Sequence, residues 1–165
     1  MNRFGLFIVA GLCLPAPGVT ASAAETDDPL AIIDDVYSQY EDGGEPIAVP
    51  DAYFSAPLLK LWRDVDAGSL NGVEKALGFE IFTNSTEEED DFTNLRTRVF
   101  SDNYVIADFH VMLEDETTLV GEKRYLMYKF DETDDGWKID DLDWGRGKKT
   151  LRGMLTEILE VQKLR

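Results

Sequence analysis

Residues 92–114, FTNLRTRVFSDNYVIADFHVMLE, decide how this chain folds. From Tyr104 to Glu114 the odd positions Val105, Ala107, Phe109, Val111 and Leu113 are all apolar, so one face of a strand meets a core. The preceding segment offers Thr93, Leu95, Thr97 and Val99 as its matching face. Both faces share one side only if Val99 lies opposite Val105, Thr97 opposite Ala107 and Leu95 opposite Phe109, since a one-residue slip sends one set outward. That register leaves Ser101-Asp102-Asn103 as the hairpin loop, with Asn103 expected in the left-handed region at its third place. It also sets Arg96 opposite Asp108 on the outer face.

Downstream, the alternation predicts strands over Leu119–Phe130 and Trp137–Trp144. In the last of these, Trp137 and Ile139 point one way and Leu142 and Trp144 the other. An extra residue at Asp140-Asp141 brings all four to one face and bends the strand, so a bulge is expected there. Upstream, Phe79–Asn84 reads as a further strand, for five in all. Before it the period is helical. Pro29 opens a helix with Leu30, Ile33, Val36, Tyr37 and Tyr40 on one stripe, ended by Gly43-Gly44. A second helix follows Pro50 with Phe54, Leu58, Leu61, Trp62 and Val65, stops at Gly68, and leads into a short turn or helix near Leu70–Leu77. Another amphipathic helix starts at Thr150, with Leu151, Met154, Leu155, Ile158 and Val161 as its stripe. Helices first and strands after predict an α+β domain, its N-terminal helices packed on a bent antiparallel five-stranded sheet and a helix at the C-terminus.

Residues 1–24 have the grammar of a secretory signal: a basic start at Arg3, an apolar run Phe4–Leu14 too short to span a bilayer, and small residues Ala21-Ser22-Ala23-Ala24. Export to the periplasm or medium is expected, leaving residues 25–165 as one domain. The single cysteine, Cys13, falls within this leader and follows Leu12, which does not fit a lipid-attachment site. A mature chain without cysteine depends on its core, and 141 residues suffice for one. Loss of Arg3 moves the net charge from −17 to −18. Such acidity disfavours nucleic acid and anionic membranes and fits a basic protein partner.

The tract Gly136-Trp137-Lys138-Ile139-Asp140-Asp141-Leu142-Asp143-Trp144-Gly145, then Thr150-Leu151-Arg152 opening a helix, resembles the exported bacterial family called domain of unknown function 3828. Tyr53-Phe54-Ser55 through Leu58-Leu59 is similar as well. The wider likeness is to the cone-shaped nuclear transport factor 2-like superfamily, which implies a pocket between helices and concave sheet. The acidic run Glu87–Asp91 and a helix continuing to Arg165 depart from the family pattern. Because that superfamily hosts enzymes, binding modules and association domains, the likeness implies a fold and no chemistry.

Several clusters carry residue types that sites use. Asp108 and His110, alternate residues of one strand, are acid/base types, but the register puts them away from the core. Asp131-Glu132-Thr133-Asp134-Asp135-Gly136 has the start of a calcium loop, yet its twelfth position is Leu142 and its flanks are strands, so a hairpin turn is expected and no metal. Gly145-Arg146-Gly147-Lys148-Lys149-Thr150 is a basic cluster at a helix start, where an anion could sit; the phosphate-loop spacing fails at Leu142. Glu87, Glu88, Glu89, Asp90 and Asp91 form either a solvated loop or a contact for a basic protein. Trp62, Asp141, Asp143, Trp144 and Arg146 are the residues expected around a cone mouth as a ligand site.

The expectation is therefore an exported, non-catalytic domain without a cofactor, binding a small molecule or a protein partner in the cell envelope. Two alternatives stay open: an immunity or inhibitor protein masking a basic toxin, and a hydratase- or isomerase-like enzyme with a pocket inside the cone. The apolar outer residues Tyr104, Ile106 and Met112 suggest a homodimer through the outer sheet face.

Overall fold

The computed structural model describes residues 28–41, 50–84, 92–111, 122–145, 147 and 149–164. The leader, the acidic run Glu87–Asp91, Met112, Arg146 and Lys148 lie outside the described residues. Helices α1 (Pro29–Glu41), α2 (Ala56–Gly68) and α3 (Gly72–Leu77) precede strands β1 (Phe92–Ser101), β2 (Tyr104–Val111), β3 (Glu122–Thr133) and β4 (Gly136–Asp143), and α4 (Leu151–Gln162) follows. The strands form one antiparallel sheet in sequence order. The α+β class and the C-terminal helix are as read from the sequence.

Helices α1, α2 and α4 start where side chains supply the missing acceptors, whereas Asn71 before α3 makes no side-chain cap. Asp28 Oδ1 accepts from Leu30 N at 2.9 Å, Ser55 Oγ from Leu58 N at 3.3 Å and Thr150 Oγ1 from Gly153 N at 3.4 Å. The helices then bury their stripes against one side of the sheet. Ile33, Val36 and Tyr37 of α1, Leu58, Trp62 and Val65 of α2, and Leu151 and Leu155 of α4 meet Val105, Ala107, Phe109, Val111, Leu126, Tyr128, Phe130, Ile139 and Leu142. Phe109 and Leu126 are wholly buried, each contributing about 2–3 kcal/mol of transfer free energy.

The predicted hairpin register holds from Arg96 to Val99: Val99 pairs with Val105, Thr97 with Ala107 and Arg96 with Asp108. Beyond Arg96 it differs. Asn94 takes left-handed angles (φ 56°), the pairing slips by one residue, and Thr93 lies opposite His110 and Phe92 opposite Val111. At the other end the irregularity sits at Phe100, Ser101 pairs with Tyr104, and Asn103 is not left-handed. Val99 is 56% exposed, because α1 reaches β1 at Thr97, whose Oγ1 donates to Asp34 Oδ1 at 2.9 Å, and Val99 lies one pleat further on.

The bulge in β4 is where the alternation demanded it. Phe130 pairs with Ile139 but Lys129 with Asp141, leaving Asp140 as the extra residue. Trp137, Ile139, Leu142 and Trp144 all reach the same core as a result. At the bulge, Ser55 N donates to Ile139 O and Ile139 N to Tyr53 O, both at 2.8 Å, so the segment before α2 covers the outer edge of β4.

The fifth strand is not formed: Phe79–Asn84 is a run of turns, with Asn84 N donating to Glu80 O at 2.9 Å. Ile81, Phe82 and Thr83 are all buried within this run of turns. Side chains satisfy its carbonyls instead. Tyr37 Oη donates to Phe82 O at 2.9 Å and Trp144 Nε1 to Ile81 O at 2.8 Å. Among the described residues the sheet therefore has four strands.

Candidate functional site

The bulge puts a carboxylate where an apolar residue would otherwise pack. Asp140 is 8% exposed, and Ser55 Oγ donates to its Oδ1 at 2.8 Å, Lys129 Nζ to its Oδ2 at 3.0 Å, and the Arg152 guanidinium to its Oδ1 and, through Nε at 2.6 Å, to its main-chain oxygen. Burial works to raise this carboxyl, but the Ser55 and Lys129 hydrogen bonds and the Arg152 charge outweigh it and hold the group below the usual carboxylate range. Hydrogen bonding and charge from Asp140 in turn push Lys129 up. Four elements, the α2 cap, β3, β4 and α4, are tied together here.

Next to this lock, on the side of the sheet away from the helices, lies an open cleft of about 150 Å³ lined by Tyr104, Met127, Lys129, Asp141, Leu142, Asp143 and Thr150. Asp141 Oδ1 accepts from Leu142 N at 2.9 Å and Arg152 N at 3.0 Å, so it caps the first turn of α4 together with Thr150. Asp143 Oδ1 accepts from Gly145 N at 2.7 Å. Gly145 is left-handed (φ 69°), and a Cβ there would lie 3.4 Å from the Tyr125 ring, so the loop crosses close above the outer face. Among the described residues, neither Asp141 nor Asp143 has an ion-pair partner.

The expected ligand set is thereby divided. Asp141 and Asp143 line the outer cleft; Trp62 and Trp144 are core residues, 9% and 4% exposed, packed edge-on against Phe54 and Phe79. They do not form one mouth with the aspartates, because the sheet stands between them.

Asp108 and His110 are on the outer side of β2, as expected. Asp108 is more covered than its placement implied, its side chain 15% exposed, and its ion pair at 3.0 Å is with Lys123, not Arg96. His110 lies opposite Lys123 and Thr93, with its Nδ1 buried and without a hydrogen-bond partner among the described residues. Among the described residues no carboxylate bonds this nitrogen to complete an acid/base pair. The calcium-like tract is the β3–β4 turn: Thr133 Oγ1 donates to Gly136 O at 2.7 Å and accepts from Asp135 N at 3.2 Å, with Gly136 at φ 86°. Within the basic cluster, Lys149 pairs with Glu157 on the next turns of α4.

Inside the sheet, sequence reasoning missed a second polar group. Tyr128 and Tyr37 are wholly buried with their hydroxyls 2.9 Å apart, and Tyr40 Oη donates to Glu80 Oε1 at 2.9 Å, while Thr83 Oγ1 donates to Glu80 Oε2 at 2.7 Å. Burial first, then Glu80 or the neighbouring phenol, drives Tyr40 and Tyr128 far above the ordinary tyrosine range; burial also dominates for Tyr37, against the hydrogen bond from Tyr128. These are proton-holding phenols in a packed core. Their partners lie 45 and 91 residues away along the chain, so no local spacing announced them. Among the described residues no helix is long and apolar enough to cross a membrane. No family model, characterised protein or solved structure matches this chain.

Proposed function

We propose that this chain is an exported, non-catalytic binding domain of the cell envelope, related to the domain of unknown function 3828 family and to the nuclear transport factor 2-like cone, and that it binds a protein partner through the outer face of its sheet. The observation that carries the reading is the outer cleft at Asp141 and Asp143. Its volume of about 150 Å³ is below the roughly 300–1,000 Å³ of sites that enclose a whole small molecule. It suits a single basic side chain, with two carboxylates for the charge and Tyr104 and Met127 for the aliphatic stem. What favours binding over catalysis is that the polar groups around it are already engaged in structure: Lys129 with Asp140, and Asp141 with the amides of α4. The buried phenols are likewise hydrogen-bonded within the core.

The test is an isotope-labelled amide spectrum of residues 25–165 titrated with a tri-arginine peptide and, separately, a tri-glutamate peptide. Shifts for the arginine peptide confined to Tyr104, Met127 and Asp143, weakened at least threefold by Asp143→Asn, support the reading. Shifts spread evenly over all acidic positions, or none, overturn it.

A further inference from the structure

The sheet has one covered edge and one open edge. Residues 53–55 lie along β4 and exchange main-chain hydrogen bonds with Ile139, whereas among the described residues β1 pairs with β2 alone. Alternate residues of an edge strand turn both N–H and C=O away from the sheet, so β1 offers main-chain donors and acceptors along its free side. Asn94, left-handed at φ 56°, interrupts this edge near one end. Over residues 96–99 the pairing with β2 is unbroken, and that stretch is regular enough for another strand to join.

Its side chains select what joins. Arg96 and Arg98 stand two residues apart on the outer face, a separation of roughly 7 Å, and among the described residues neither is ion-paired. Asp108, opposite Arg96 in the ladder, is held by Lys123 at 3.0 Å, and Arg98 lies opposite Ile106. On the helix side Thr97 donates to Asp34, Val99 is 56% exposed, and Phe100 at the end of the stretch is 67% exposed. A second β1 is a poor occupant, because laid antiparallel about Thr97 it sets Arg96 of each copy against Arg98 of the other.

We propose that the free edge of β1 takes an extended segment of a partner protein by strand addition, with carboxylates at alternate positions pairing with Arg96 and Arg98 and apolar residues between them resting beside Thr97 and Val99. Asp34 fixes that division, since an acid on the helix side meets a like charge. Main-chain bonds supply the affinity and the arginines the choice of partner. At about 0.15 M salt the screening length of about 8 Å damps the net acidity of the chain and spares contacts at hydrogen-bond range. The cleft at Asp141 and Asp143 belongs to β4, at the other edge of the sheet, and calls for a basic group. The β1 edge therefore goes beyond that reading and does not depend on it.

The test is an amide titration of isotope-labelled residues 25–165 with the capped peptide Thr-Val-Glu-Val-Glu-Val-Thr at up to about 2 mM. Shifts centred on residues 96–100 are expected, together with slowed amide hydrogen exchange along β1. The same peptide N-methylated at every residue keeps its side chains but has no main-chain donor, and is expected to bind at least tenfold more weakly. Arg96 and Arg98 are both exposed, so the double variant Arg96→Glu/Arg98→Glu should fold; it is expected to lose the glutamate peptide and to bind Thr-Val-Lys-Val-Lys-Val-Thr in its place. If it does not fold, Arg98→Ala replaces it, with affinity for the glutamate peptide expected to fall at least threefold. No binding, shifts centred elsewhere on the sheet, or an N-methylated peptide that binds as tightly as its parent overturns the inference. Any of these leaves the cleft reading standing, because the tri-arginine titration tests that separately.

Discussion

Asp140 Oδ1 accepts a hydrogen bond from Ser55 Oγ at 2.8 Å, which joins the residue displaced from β4 to the cap of α2. The same hydroxyl accepts from Leu58 N, so one side chain both starts a helix and closes a bulge. Both functions depend on Asp140 being ionised, because Lys129 and Arg152 arrive from the other side with positive charge.

Asp140→Ala is therefore expected to cost about 2–3 kcal/mol, and Asp140→Asn somewhat less. The folded carboxyl lies below its unfolded value of about 3.9, so its contribution is fully present above that pH and is lost as the pH falls through the lower, folded value. Urea unfolding of wild type and Asp140→Asn from pH 7 to pH 3 measures the difference. A gap that is constant near neutrality and narrows below about pH 4 is expected; one that does not change with pH contradicts the ionic role.

The buried phenols make an opposite demand on pH. Burial holds Tyr37, Tyr40 and Tyr128 far above the ordinary range, and burial with Asp35 pushes Tyr53 up to about 12. Their contribution is complete below the unfolded value of about 10 and is lost as the pH rises past it toward the folded values. Absorbance at 295 nm in folded protein at about pH 10.5 should lack the phenolate signal of these four, which then appears on adding denaturant. Full ionisation before unfolding contradicts the packing.

Asn94 marks the slip in β1, and its φ of 56° is tolerated by asparagine and glycine far better than by branched residues. Asn94→Gly should be close to neutral and Asn94→Val should cost about 1–2 kcal/mol, both read from thermal melting. Equal melting temperatures for the two variants rule out left-handed strain at this position.

The end of α4 closes the end of α2. Gln162 Nε2 donates to Val65 O at 3.2 Å and to Ser69 Oγ at 3.0 Å, and a Cβ on Gly68 would come within 2.5 Å of Gln162 Oε1. Gln162→Ala is expected to cost about 1 kcal/mol. Gly68→Ala should stabilise by about 0.5–1 kcal/mol in the Gln162→Ala background, where the clash is gone, and gain less in wild type. Additive effects in this double-mutant cycle contradict the contact.

The amphipathic stripes of α1, α2 and α4, the pairing of Val99 with Val105 and the bulge at Asp140 were all legible in the residues. Each follows from a period of 3.6 or 2, which neighbouring positions fix among themselves, and from the rule that apolar side chains share a face. Of the five residues expected around a cone mouth, Asp141 and Asp143 line a cleft on the other side of the sheet, and only their strand face was legible, from that same bulge.

Tertiary structure alone decided the rest. Phe79 and Ile81 alternate as a strand does, yet Tyr37 and Trp144, far along the chain, claim the carbonyls of Phe82 and Ile81 and turn the segment into a buried loop. Lys123 rather than Arg96 pairs with Asp108, a choice between two neighbours that register alone cannot make. Ser55, Lys129, Asp140 and Arg152 come together only after the sheet bends and α4 returns over it. A period reports which side of an element is apolar; it carries no information on which distant polar group meets an exposed amide, carbonyl or charge, and that is settled only when the elements dock.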